Sequence, residues 1–265
     1  MKYVWMTAFG FGFIFFMTAL GAALVFCFRG KISEKWTTIF FGFASGIMLS
    51  ASIWSLLLPA FEQITPKWGK FSFIPITVSF LFGCAFLIIL DVIIAFIRDK
   101  KGKNADLKAT FDRQNQKMFL AVALHNIPEG LAVGFAFGTA RIINTPAAYM
   151  TALMLSIGIG VQNFPEGAAI ALPLSASKSK AKAFLYGVLN GLPEPIFAIF
   201  GYILSSQIAF LQPWLLAFSA GTMFFVVVDE LLPAQKKDIS KRFSPGALAA
   251  AIGFVLMMVL DVALG

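Results

Sequence analysis

Eight long apolar runs in this chain contain no Lys or Arg, yet eight carboxylates lie in them or at their ends. The runs cover 4–28, 36–61, 74–97, 118–140, 147–173, 184–204, 214–234 and 245–264. Each has about the 20 residues that a helix needs to cross a bilayer. Of the 265 residues, 59% are hydrophobic and 13% charged, against roughly 25% charged in soluble domains. The expected fold is an all-α membrane protein of eight transmembrane helices, a single transmembrane domain over 1–265. The first run reads as a span, because more runs of similar length follow it. Cys27 and Cys84 lie in apolar runs without CxxC spacing and read as packing residues.

The basic residues fix an orientation. Most of the 21 Lys and Arg fall in four connections. Arg29, Lys31 and Lys35 follow the first span. Arg98, Lys100, Lys101, Lys103, Lys108, Arg113 and Lys117 follow the third. Lys178, Lys180 and Lys182 follow the fifth, and Lys236, Lys237, Lys241 and Arg242 follow the seventh. Only Lys2, Lys67, Lys70 and Arg141 lie opposite. The positive-inside rule puts the first group in the cytoplasm and both termini outside, in the cytoplasmic (inner) membrane. The net charge of +8 then follows from topology and anionic lipid, with no nucleic-acid partner.

Short echoes point to duplication. Gly46-Ile47-Met48 returns as Gly221-Thr222-Met223, Leu57-Leu58-Pro59-Ala60 as Leu231-Leu232-Pro233-Ala234, and Leu90-Asp91-Val92 as Leu260-Asp261-Val262. Spans one to three would match six to eight, and span four would match five. An odd number of helices per half inverts the repeats and places binding near the midplane.

The clearest echo is His125-Asn126-Ile127-Pro128-Glu129-Gly130 with Gln162-Asn163-Phe164-Pro165-Glu166-Gly167. At about 100° per residue, His125, Asn126 and Glu129 share one helix face, as do Gln162, Asn163 and Glu166. Pro128 and Pro165 each remove a backbone donor. A third proline-broken carboxylate site is Pro193-Glu194-Pro195. An intramembrane carboxylate costs roughly 2.5–3.5 kcal/mol at a helix centre, and with no basic partner in the spans it must take a proton, reach water or face a cation. By depth, Glu62 and Asp261 lie outermost, Glu129, Glu166 and Glu194 near the middle, and Asp91, Asp229 and Glu230 in the inner half. Together they describe a cation path. Glu62 and Asp261 read equally well as solvated helix ends, and Asp91 as a protonated packing acid.

His125 is the only histidine. Imidazole beside carboxylate and amide suits borderline first-row ions better than Mg²⁺ or Ca²⁺. Zn²⁺, Fe²⁺ and Mn²⁺ are the candidate cargoes, and no resident cofactor is implied. An intramembrane metalloenzyme would need something like HExxH, which is absent, and a retinal protein would need a buried Lys. A proton-coupled or exporting cation carrier is compatible with the same residues.

These motifs resemble the ZIP (zinc/iron-regulated transporter-like protein) family, most closely its prokaryotic GufA-like branch. The resemblance implies a 3+2+3 helix arrangement, a two-metal site between spans four and five, movement of divalent metal into the cytosol and a homodimer. By motif position it implies that His125, Asn126, Glu129, Gln162, Asn163, Glu166 and Glu194 are metal ligands. It implies Met48 as a soft ligand that can leave, Asp229 and Glu230 as an inner-exit pair, and Glu62 as an outer acid. An amide stands at Asn163 where some relatives carry an acid, which weakens the second metal position. The long cytoplasmic loop has no histidine. Because spans four and five run in opposite directions, His125 should lie level with Glu166, and Glu129 with Gln162. Spans one, four, five and six would move as a block against a scaffold of two, three, seven and eight.

Overall fold

The computed structural model describes residues 3–28, 33–99, 107–176, 178–232 and 244–264. Pro233, Ala234 and the basic residues Lys2, Arg29, Lys31, Lys100, Lys101, Lys103, Lys236, Lys237, Lys241 and Arg242 lie outside this set. The regular structure among the described residues is helical throughout: α1 (Val4–Ala23), α2 (Glu34–Ala51), α3 (Leu58–Trp68), α4 (Phe73–Asp99), α5 (Leu107–Ile143), α6 (Pro146–Leu174), α7 (Lys180–Gly191), α8 (Pro193–Ile208), α9 (Gln212–Val226) and α10 (Pro245–Leu264).

Seven helical runs among these residues are long and apolar enough to cross a membrane, so the protein is an integral membrane protein. The second of these runs joins α2 and α3, and the fifth joins α7 and α8. The fourth expected span lies on α5, whose 37 residues are ample in length. It carries the His-Asn-x-x-Glu face with Gly130, Gly134 and Gly138. Neighbouring helices bury that face. Large apolar side chains such as Phe82 on α4, Phe200 on α8 and Val259 on α10 point outward instead.

Two backbone features differ from expectation. Pro128 and Pro165 lie inside continuous helices; of the three spans expected to be broken by proline, only the sixth is interrupted, at Leu192 between α7 and α8. An interior proline costs roughly 3 kcal/mol; the packing of α8 along α5 and of α1 along α6 offsets that cost where those two helices run on. In the sixth span, Gly191 and two prolines within five residues leave too few backbone bonds to continue. The second and seventh spans instead carry π-helical segments, Ser52–Leu57 and Val227–Leu231. Each directly precedes one copy of the Leu-Pro-Ala echo. A proline ring clashes with the carbonyl four residues back, which is Ser55 for Pro59, and local widening to a π turn relieves that clash.

The helix pairing repeats itself. α2 lies along α10 as α9 lies along α4, α1 along α6 as α8 along α5, and α2 meets α6 as α9 meets α5. The match extends to residues. A Cβ on Gly46 would sit 1.9 Å from the Ala250 carbonyl oxygen, and one on Gly221 would sit 2.0 Å from that of Phe80. Gly83 is as close to the Phe218 carbonyl as Gly253 is to that of Phe43, 2.2 and 2.3 Å. Small residues let backbones approach where lipid provides no hydrophobic drive between helices.

Gly46→Ala and Gly221→Ala should each lower the melting temperature in detergent, by the equivalent of about 1–3 kcal/mol of overpacking. Gly12→Ala, where nothing lies within 4 Å of the new Cβ, should be neutral or slightly stabilising. Equal melting of all three would contradict the packing.

Candidate metal site

α5 and α6 run against each other at the centre of the molecule, joined by the two-residue turn Asn144-Thr145. Asn144 takes the left-handed φ of 55° that asparagine tolerates, and Thr145 caps α6 by accepting a hydrogen bond from the Ala148 N–H. This tight reversal places the two motifs face to face. His125 Nε2 lies 3.5 Å from Glu166 Oε2, and Gln162 adjoins Glu129. One ligand atom each from His125, Glu129 and Glu166 falls within 4.8 Å of the others, the one such group among the described residues. All three side chains are buried to within 1% of complete.

The four carboxylate oxygens of Glu129 and Glu166 accept no hydrogen bond, nor does either amide atom of Gln162 make one. Burying ionised carboxylates without donors is expensive. A divalent cation offsets that cost through the same atoms, and the donor set of imidazole nitrogen and carboxylate oxygen is the one zinc sites use.

The asparagines differ from the glutamates. Asn126 Nδ2 donates to the Asn190 carbonyl at 3.1 Å, and Asn163 Nδ2 donates to the Ile14 carbonyl at 3.3 Å and to Glu194 Oε2. These partners can only accept, so they determine which end of each amide is nitrogen. Oδ1 of both asparagines is left without a hydrogen bond, a hard oxygen available to a cation.

Glu194 enters from a third helix. Pro193 opens α8, so Glu194 sits in its first turn, where the helix dipole favours a negative group. Its Oε1 is 3.5 Å from the Thr18 hydroxyl. The motif glycines make this convergence possible. A Cβ on Gly130 would lie 2.3 Å from the Glu194 carbonyl oxygen, and one on Gly167 would lie 2.0 Å from that of Thr18. Thr18 and Asn190 were not singled out from the sequence. Asn190, four residues before Glu194 and so on the same face of the sixth span, was the available signal; Thr18 offered none.

The remaining candidates lie outside the central cluster. Met48 is buried in the larger apolar core with Ala168 and Ala169. Glu62 and Asp229 are exposed, Asp91 is partly buried and Glu230 is buried on the second π segment. Asp261 is partly buried and accepts a 2.7 Å hydrogen bond from Ser55 on the first π segment.

The family model for the ZIP zinc transporter matches residues 115–261, which include both motifs and Glu194. The chain belongs to the ZIP family. It is 33% identical to the human zinc transporter ZIP11, with 94% of each chain covered. It is 33% identical to the zinc transporter GufA of Myxococcus xanthus, again over 94% of each. It is 34% identical to the zinc transporter ZIPB of Bordetella bronchiseptica, over 95% of this chain and 79% of that one. Membership makes this protein a divalent-metal transporter and sets aside the intramembrane enzyme.

Because Glu129 and Glu166 are buried without donors, neutralising one should help the fold in the absence of metal. In EDTA, Glu129→Gln and Glu166→Gln should melt higher than the parent, by roughly 1 kcal/mol or more, and both should lose the stabilisation that added Zn²⁺ gives the parent. Variants that melt lower in EDTA yet keep the zinc effect would contradict the site.

Proposed function

We propose that this ZIP protein carries zinc across the cytoplasmic membrane into the cytosol by alternating access, through two adjacent metal positions of unequal strength between α5 and α6. The observation that carries the reading is the buried group of His125, Glu129 and Glu166, whose ligand atoms lie within 4.8 Å of one another. His125 with Glu166 forms the stronger position. Glu129, shared between the two, joins Gln162, the amide oxygens of Asn126 and Asn163, and Glu194 in the weaker one. Fe²⁺, Mn²⁺ and Cd²⁺ fit the same donors less selectively. The relatives named above are all zinc transporters, which favours zinc.

The arrangement we favour is eight spans in inverted 3+2+3 repeats, with α5 as the fourth span. The matched helix pairs and the matched glycine contacts support it. In it α1, α5, α6, α7 and α8 form the transport block, and α2, α3, α4, α9 and α10 the scaffold, which touches the block where α2 meets α6 and α9 meets α5. Met48 on α2 contacts the ion in one state. Asp261 and Glu62 line the outer approach, and Asp91, Asp229 and Glu230 the inner one. Both termini lie outside, and the working unit is a homodimer in lipid.

Zinc uptake into sealed liposomes tests this reading. Glu129→Ala and Glu166→Ala should abolish uptake while the protein still elutes and melts as a folded species; wild-type rates from either would refute the site. Protons compete with metal for imidazole and carboxylate, so uptake should fall as the pH drops from 8 to 5, and a flat profile would argue against carboxylate ligation. A disulfide linking α6 to α2, or α5 to α9, should stop transport and leave binding from one side intact. Full-rate transport by locked protein would refute the moving block.

A further inference from the structure

Both oxygens of Glu194 are taken by protein hydrogen bonds, unlike those of Glu129 and Glu166. Oε2 accepts from the Asn163 amide, and Oε1 faces the Thr18 hydroxyl at 3.5 Å. The single Thr18 proton is shared with the Ile14 carbonyl at 3.3 Å, and Ile14 also receives the Asn163 amide. Ile14, Thr18, Asn163 and Glu194 therefore close a ring that ties α1, α6 and α8 together. Glu194 is not in the group whose ligand atoms converge.

Thr18 has a definite place in the repeat. It meets the glycine of the second motif as Glu194 meets the glycine of the first. Asn163 donates to the carbonyl four residues before Thr18, and Asn126 donates to the carbonyl four residues before Glu194. Thr18 and Glu194 thus occupy matching positions in the two halves and touch each other. One half supplies a carboxylate, and the other supplies the hydroxyl that holds it.

We propose that Thr18 and the Asn163 amide form a latch that holds Glu194 off the second metal position, so that zinc fills the site in sequence: the first ion at His125, Glu129 and Glu166, the second only by displacing the latch. This rests on the metal-site reading above. It makes Thr18 a positioning residue, and it gives the amide at Asn163 a task that a carboxylate could not perform, since an ionised acid there has no proton to donate to Glu194.

The test is zinc stoichiometry and affinity for the full-length protein in detergent at pH 8, by calorimetric titration of Zn²⁺. The parent should bind one ion, then a second at least tenfold more weakly. Thr18→Val keeps the side-chain shape and removes the donor. It should narrow the ratio of the two dissociation constants by about three- to tenfold, the range for a shared hydrogen bond to a charged group, whereas Thr18→Ser should behave as the parent. A merely structural role for Thr18 would weaken the second ion in the valine variant. That result, an unchanged ratio, or two equally tight ions in the parent would each overturn the latch. Loss of the first ion in Glu166→Gln separates failure of the latch from failure of the site: if that variant binds zinc as the parent does, the underlying reading fails instead.

Discussion

Three buried carboxylates meet at the centre of this protein with no Lys or Arg in any apolar run to balance them. The rest of the molecule is arranged around that imbalance. Glu194 is relieved by a helix N-terminus and two donors, whereas the oxygens of Glu129 and Glu166 are left without hydrogen bonds, beside the only imidazole. Such a cluster is costly to hold in a low-dielectric interior. It is the kind of cost a protein retains where a cation is to be bound and later released, because a site satisfied by its own donors would gain little from the ion.

Close backbone approach is what allows three helices to bring their candidate ligands, and α1 its Thr18, into so small a space. The last residue of each Pro-Glu-Gly motif is where a neighbouring helix passes nearest: α8 at Gly130 and α1 at Gly167. The glycine of the motif is thus a packing requirement for its glutamate, since any side chain there would push α8 or α1, and with it Glu194 or Thr18, away from the site. The same device recurs between α2 and α10 and between α4 and α9, so each of the paired helix sets is built from tight small-residue contacts. Between the sets, where α2 meets α6 and α9 meets α5, none of the described glycines makes such an interlock.

Much of this was legible in the residues. The spacing of His125, Asn126 and Glu129 places them on one face because helical geometry leaves no alternative, and the antiparallel turn at Asn144-Thr145 then sets His125 beside Glu166 and Glu129 beside Gln162. The echoes were short, yet they mark the π segments and the matched glycines. Other features were not legible. Proline chemistry alone could not tell that α5 and α6 run on while the sixth span breaks, since the outcome depends on what packs around each proline. The π segments needed knowledge of which carbonyl each proline ring would meet in a crowded helix. Thr18 was invisible because a threonine in an apolar run usually bonds its own backbone, and this one does so as well; only its approach to Glu194 distinguishes it.

X-ray absorption at the zinc edge, on protein loaded with one equivalent of metal, tests the central claim most directly. Ligation by His125, Glu129 and Glu166 predicts nitrogen and oxygen scatterers at about 2.0–2.2 Å with the outer-shell signal of a single imidazole, and loss of that imidazole signal in His125→Ala. A spectrum with no imidazole component, or one unchanged by His125→Ala, would contradict the account.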